Sequence, residues 1–146
     1  EWFLAVHTDP RLRIRRGSLT ALPYDGQTFD AVICTEVIEH IPDDRAAVRE
    51  LARVLKPGGT AAILELSTPP NPAFRAAYQF YSNSVLSKVG ALISGSKDAY
   101  TYLPESVRKF PIASVLAGEF REAGFAEVKY ELLTFGIVAL HIARKP

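Results

Sequence analysis

The chain has 146 residues, 48% of them apolar and 23% charged, which suits one domain with one hydrophobic core. A formal net charge of +1 leaves no broad basic field, so nucleic acid is not expected as a partner. One cysteine, Cys34, excludes a disulfide framework or a thiolate metal cluster, and no apolar run approaches the ~20 residues of a membrane-spanning helix.

The sequence starts at Glu1, contains no methionine and shows no signal-peptide pattern, so it reads as a fragment of a longer protein from a reducing, cytoplasmic compartment. Arg11, Arg13, Arg15 and Arg16 form the one local basic cluster, expected on an exposed strand or loop. Arg13–Arg16 reads as a short strand running into the Gly17-Ser18 turn. Ala21–Gly26 is a loop, marked by Pro23 and an Asp-Gly turn.

Asp30–Cys34 is continuously apolar after its first residue, the pattern of a strand buried on both faces of a parallel sheet. Cys34 is then a packing thiol. Asp43 to Leu55 is a helix: Pro42 and Asp43 start it, and Ala47, Val48, Leu51, Val54 and Leu55 recur at helical spacing. Lys56-Pro57-Gly58-Gly59 stops it, and Thr60–Leu66 is a second buried strand. Strand, helix, strand makes a right-handed crossover and hence an α/β fold.

Pro69–Pro72 breaks the chain before a long helix expected from Ala73 to about Ile93, apolar nearly all round. A polar loop and Tyr100–Pro104 follow, then helical segments at Glu105–Lys109 and Ile112–Ala123, the latter capped by Gly124. Glu127–Leu133 and Gly136–Ala143 read as an antiparallel hairpin at the sheet edge. His141, within it, reads as structural.

Two stretches, Gly17-Ser18-Leu19-Thr20-Ala21-Leu22-Pro23-Tyr24 through Phe29-Asp30, and Arg53-Val54-Leu55-Lys56-Pro57-Gly58-Gly59, resemble class I S-adenosylmethionine-dependent methyltransferases. The second half narrows the likeness. Leu64-Glu65-Leu66-Ser67, Tyr78-Gln79-Phe80-Tyr81, Tyr100-Thr101-Tyr102-Leu103-Pro104-Glu105-Ser106 and Leu133–His141 resemble the ubiquinone/menaquinone biosynthesis C-methyltransferases. The resemblance runs from about Gly17 to the end. It implies a Rossmann-like sheet of order 3-2-1-4-5-7-6, here lacking strands 1 and 2, with an inserted helical lid at about residues 70–111 in one partial domain. It further implies S-adenosylmethionine as cofactor and methyl transfer to a ring carbon of a polyprenyl quinol.

The same resemblance assigns roles. Ser18 stands where the family offers an acid to adenine, with Leu19 beside it, and Thr35 and Glu36 would face the methionine part. Tyr78, Tyr81, Tyr100 and Tyr102 would line the quinol channel, an apolar lining that a prenylated ring requires. After strand 4 the family carries an aromatic-glycine-x-arginine-asparagine stretch, but this chain has Glu36-Val37-Ile38-Glu39-His40, closer to O-methyltransferases. His40 or Glu39 is therefore the expected general base, and a small-molecule or lipid O-acceptor is the alternative substrate. Glu36-x-x-Glu39-His40 is also similar to a divalent-metal site of small-RNA 2′-O-methyltransferases, but with no fourth ligand no metal is assigned.

The glycine-rich turn and the acid that hold the rest of the cofactor have no counterpart, since no Gly-x-Gly occurs. A chain unable to bind cofactor alone is the third reading. Loss of strands 1 and 2 would expose an edge of strand 4, inviting a dimer through that edge. A prenylated substrate also suggests peripheral contact with a membrane.

Overall fold

The computed structural model describes residue 11, residues 13–86 and residues 110–146. Four strands form one sheet in the order β1-β2-β4-β3: β1 (Phe29–Thr35), β2 (Leu55–Leu66), β3 (Glu127–Leu133) and β4 (Val138–Arg144). β1 and β2 are parallel, and β4 lies antiparallel between β2 and β3. This is the arrangement expected for the last four strands of the seven. Arg13–Arg16 does not form the expected strand: residues 13–17 have no regular structure, and no described strand pairs with the free edge of β1.

Helix α1 (Asp44–Val54) returns the chain from β1 to β2. The Asp43 side chain caps its start by accepting from the Ala46 N–H at 2.9 Å. At its far end the Lys145 ammonium donates to the carbonyls of Ala52 and Leu55, both at 2.8 Å, satisfying groups the helix leaves open. Helix α3 (Ala113–Glu122) packs on the same face of the sheet, and Gly124, at φ +97°, ends it as expected.

The core lies between these helices and one sheet face. Leu51, Ile63, Leu116 and Phe120 are all but inaccessible, and each such side chain contributes about 1.5–3 kcal/mol by leaving water. His141 joins this layer. Its Nε2 pairs with the Ala113 carbonyl at 2.9 Å and its ring stacks on Phe120, so it ties β4 to the start of α3.

Three expectations need correction. β1 is buried on one face only: Cys34 is covered, whereas Ile33 is 78% exposed, because no described helix lies over the second face. Lys56–Gly59 does not precede β2 but bulges within it, since Phe29 pairs with Leu55 and Ala31 already with Thr60. The long aromatic helix is α2 (Pro72–Phe80), capped by Asn71 and continuing as a π-helical segment, Tyr81–Leu86. None of α2 is buried, and Phe80 is 69% exposed. Residues 87–109, with the remainder of that expected helix and the Glu105–Lys109 segment, lie outside the described residues. No helix among the described residues is long and apolar enough to cross a membrane.

The bulge sets a test. A Cβ at Gly59 would stand 2.8 Å from the Lys56 carbonyl oxygen and 3.0 Å from that of Asp30, both backbone atoms with little room to yield. Gly59→Ala is expected to lower the unfolding free energy by about 1–3 kcal/mol, read as a lower urea midpoint at unchanged slope.

Candidate active site

The carboxyl end of β1 is where an open α/β sheet leaves a crevice for ligands. Thr35 and Glu36 stand there, both exposed. Glu36 adopts φ +55°, and its N–H donates to the Leu64 carbonyl at 2.9 Å, so the chain turns sharply as it leaves the sheet.

Glu65, on β2, holds that turn. One carboxylate oxygen accepts from the Val37 N–H at 3.1 Å and the Ile38 N–H at 3.0 Å, and the other accepts from Val37 at 3.2 Å. These are the open donors at the start of the short helical turn Ile38–His40, where a negative charge is favoured. Burial pushes the Glu65 carboxyl above its ordinary range, while the Ile38 and Val37 N–H groups pull it down. The Cys34 thiol, buried and 3.9 Å from Glu65, is pushed up to about 12, which makes it a neutral packing group.

Glu39 and His40 diverge in burial although they are neighbours. The Glu39 side chain is wholly buried and that of His40 is 37% exposed, with His40 Nε2 3.4 Å from Glu39 Oε1. Neither Glu39 oxygen makes a hydrogen bond of good geometry among the described residues, and the nearby Leu66 backbone offsets only a little of the burial. Burial, then the charges of Glu36 and Glu65, raise the Glu39 carboxyl from 4.5 to about 7. Tyr78 of α2 lies within electrostatic reach: burial first and the Glu39 charge second push its phenol up. Tyr81 follows one turn later, half exposed.

A second part of the site lies along β1. An open cleft of about 470 Å³ is lined by Leu19, Leu22, Cys34, Thr35 and Val37 among others. Leu19 and Leu22 also pack against the core, so this wall is anchored. Two leucines beside the polar end of a parallel strand suit the flat apolar face of an adenine and a polar tail. Those residues therefore fit one side of a S-adenosylmethionine site.

Of the residues singled out from sequence, the fold brings Leu19 and Thr35 to the cleft and Glu39, His40 and Tyr78 to one neighbourhood. Ser18 does not line the cleft: it is exposed, bridges to Ala21 and pairs through its hydroxyl with Thr20 at 2.9 Å. Glu36 is exposed outside the cleft lining, and Tyr100 and Tyr102 lie outside the described residues. Among the described residues, no three His, Cys, Asp or Glu side chains are grouped to hold a metal. Sequence reading passed over Glu65 as a functional residue. The signal was a carboxylate inside an otherwise apolar strand, since a buried charge requires dedicated partners.

A family model described as the ubiE/COQ5 methyltransferase family matches residues 7–145. The chain belongs to that methyltransferase family. It is 42% identical over 130 residues to a demethylmenaquinone methyltransferase of Mycolicibacterium paratuberculosis, covering 89% of this chain and 56% of that protein. With the same enzyme of Mycolicibacterium gilvum it shares 40% identity over 143 residues, 98% of this chain and 63% of the relative. The chain thus spans little more than half the length of these relatives.

Among solved structures, a SAM-dependent methyltransferase from Thermotoga maritima superposes with a TM-score of 0.60 at 18% identity, over 89% of this chain and 62% of that one. Phosphoethanolamine N-methyltransferase 2 of Haemonchus contortus, solved in complex with S-adenosyl-L-methionine, gives 0.61 at 12% identity, over 88% of this chain and 36% of that one. These likenesses establish the Rossmann-like methyltransferase fold.

The raised Glu39 carboxyl has a consequence for stability. The folded protein keeps a proton that the unfolded chain releases above about 4.5, so this contribution is present at low pH and is lost as pH rises through about 7. Glu39→Gln, which cannot ionise, is expected to flatten the fall in stability between about pH 5 and pH 8. Parallel denaturant titrations across that range would check it; equal slopes would contradict the burial argument.

Proposed function

We propose that the protein methylates a ring carbon of a polyprenyl quinol of the demethylmenaquinol type, using S-adenosylmethionine, with Glu39 as general base. The observation that carries this reading is the buried Glu39 carboxyl, 3.4 Å from His40 and within electrostatic reach of Tyr78, raised to about 7 just after the end of β1. A base with a pKa close to the working pH is half-ionised and still a competent acceptor. The relatives, both demethylmenaquinone methyltransferases, supply the acceptor class.

Bound S-adenosylmethionine supplies an electrophilic methyl group on its sulfonium. Leu19, Leu22 and Thr35 form one wall of its site, and Glu65 fixes the loop that follows. Glu39 takes the proton of the quinol hydroxyl, which raises electron density on the adjacent ring carbon. His40, 3.4 Å from Glu39 and partly exposed, is placed to pass that proton to water. Tyr78 on α2 and Tyr81 at the start of the π-helical segment flank the acceptor ring, and their apolar faces exclude water from the reacting pair.

One arrangement favours transfer to oxygen as the competing outcome: the Glu39–His40 pair stands where the C-methyltransferases carry arginine and asparagine. Incubating the full-length gene product with S-adenosylmethionine and demethylmenaquinol, then mapping the methyl by mass spectrometry, decides between them. The ring-methylated quinol is expected; an O-methyl ether alone would overturn the carbon assignment. In the same assay Glu39→Gln is expected to lower kcat roughly 10²-fold or more and to remove the rise of kcat/KM through about pH 7.

A further inference from the structure

Residues 22–28 have no regular secondary structure, yet one turn of α1 holds them from two directions. Glu50 Oε1 accepts from the Leu22 N–H at 2.7 Å. Arg53 donates to Glu50 through Nε at 2.8 Å and Nη2 at 2.7 Å. The same Nη2 reaches the Tyr24 carbonyl at 2.8 Å and that of Leu22 at 3.3 Å. Below it, the Gln27 and Thr28 N–H groups donate to the carbonyls of Arg53 and Val54 at 2.9 and 2.8 Å. On the outer side Arg15 lies 5.2 Å from the Tyr24 ring centre and donates to the Pro23 carbonyl at 3.2 Å.

A Glu–Arg pair three residues apart on an exposed helix face does little for stability. This pair does something else, because its remaining donor and acceptor capacity goes to backbone atoms of a loop that precedes β1. The two side chains form a closed ring with both polar groups of Leu22. Leu22 is also a wall residue of the cleft, with Leu19 three positions earlier. The guanidinium's planar fork makes the arrangement possible. A lysine ammonium cannot grip a carboxylate twice and reach two carbonyls together.

We propose that Glu50 and Arg53 are positioning residues for the cofactor: they fix the Leu19–Tyr24 loop so that Leu19 and Leu22 meet the adenine end of S-adenosylmethionine as a preset wall. This rests on the cofactor reading above. Neither residue belongs to the Glu36–His40 loop, so their loss acts on cofactor binding and leaves the proton transfer intact.

The test uses the full-length gene product carrying Arg53→Lys, Glu50→Gln, or both. Calorimetric titration with S-adenosylhomocysteine is expected to show Kd weakened roughly tenfold or more in each single variant. The KM for S-adenosylmethionine should rise in parallel, with kcat and the acceptor KM within about twofold of the parent. The double variant should be little worse than either single one, since each already opens the ring. Variants that bind as tightly as the parent, or that lose kcat at unchanged KM, overturn the proposal. So does loss of the cooperative melting transition, because the pair would then be holding the fold and not the loop. A parent protein that binds no S-adenosylhomocysteine overturns the cofactor reading itself, a different result from variants that bind normally.

Discussion

The carboxylate of Glu65 is the constraint on which the acceptor side of the site depends. The chain leaves β1 through a left-handed residue, Glu36, and must then begin a helical turn with its first N–H groups pointing into the protein. The Ile38 N–H is buried and that of Val37 partly so, and an orphaned buried amide costs about 1–3 kcal/mol. Glu65 supplies the acceptor from the neighbouring strand, where the pairing of Cys34 with Ile63 and Thr35 with Leu64 sets it at the strand end. Once the turn is fixed, Glu39 has nowhere to go but inward. The charge of Glu36 raises both buried acids and that of Glu65 raises Glu39 further, so a scaffold interaction becomes an acid–base property. Structure and chemistry share one cause here.

Much of this was legible from the residues alone. Asp43 as a cap, Gly124 as a stop and the alternation along Glu127–Leu133 each encode a local event, and local events survive into the fold. The family likeness rests on segments whose spacing is set by the crossover unit, and the four described strands follow one another in the order it implies for the last four. The Glu39–His40 pair is singled out by the arginine and asparagine it replaces, and the fold sets the two side chains 3.4 Å apart.

Other features were not legible, for physical reasons. An apolar run such as Ala31–Cys34 looks the same whether one face or two are covered, because burial is decided by what packs above it. Ile33 shows the difference. Glu65 sits between two leucines like any alternating strand residue; only the distant loop makes it an anchor. Glu50 and Arg53 look like a solvated helix pair until the backbone they hold is seen. The likeness sets Ser18 at the cofactor, and the structure shows only that its hydroxyl pairs with Thr20. Except for Ser18, each of these features depends on a partner distant in sequence.

The connection between β3 and β4 carries a mechanical consequence. Thr134, Phe135 and Gly136 all take positive φ, and the space a Gly136 side chain would need is filled by Pro70, with its Cδ 2.6 Å from that position. The Ser67 N–H donates to the Ile137 carbonyl at 2.7 Å, and Phe135 packs on Phe74 of α2 with ring centres 5.4 Å apart. The hairpin tip and the entrance to the aromatic helix are therefore pinned to each other at three points. A displacement of the hairpin tip would be felt first at α2, the helix that carries Tyr78, although β3 is the strand farthest from β1.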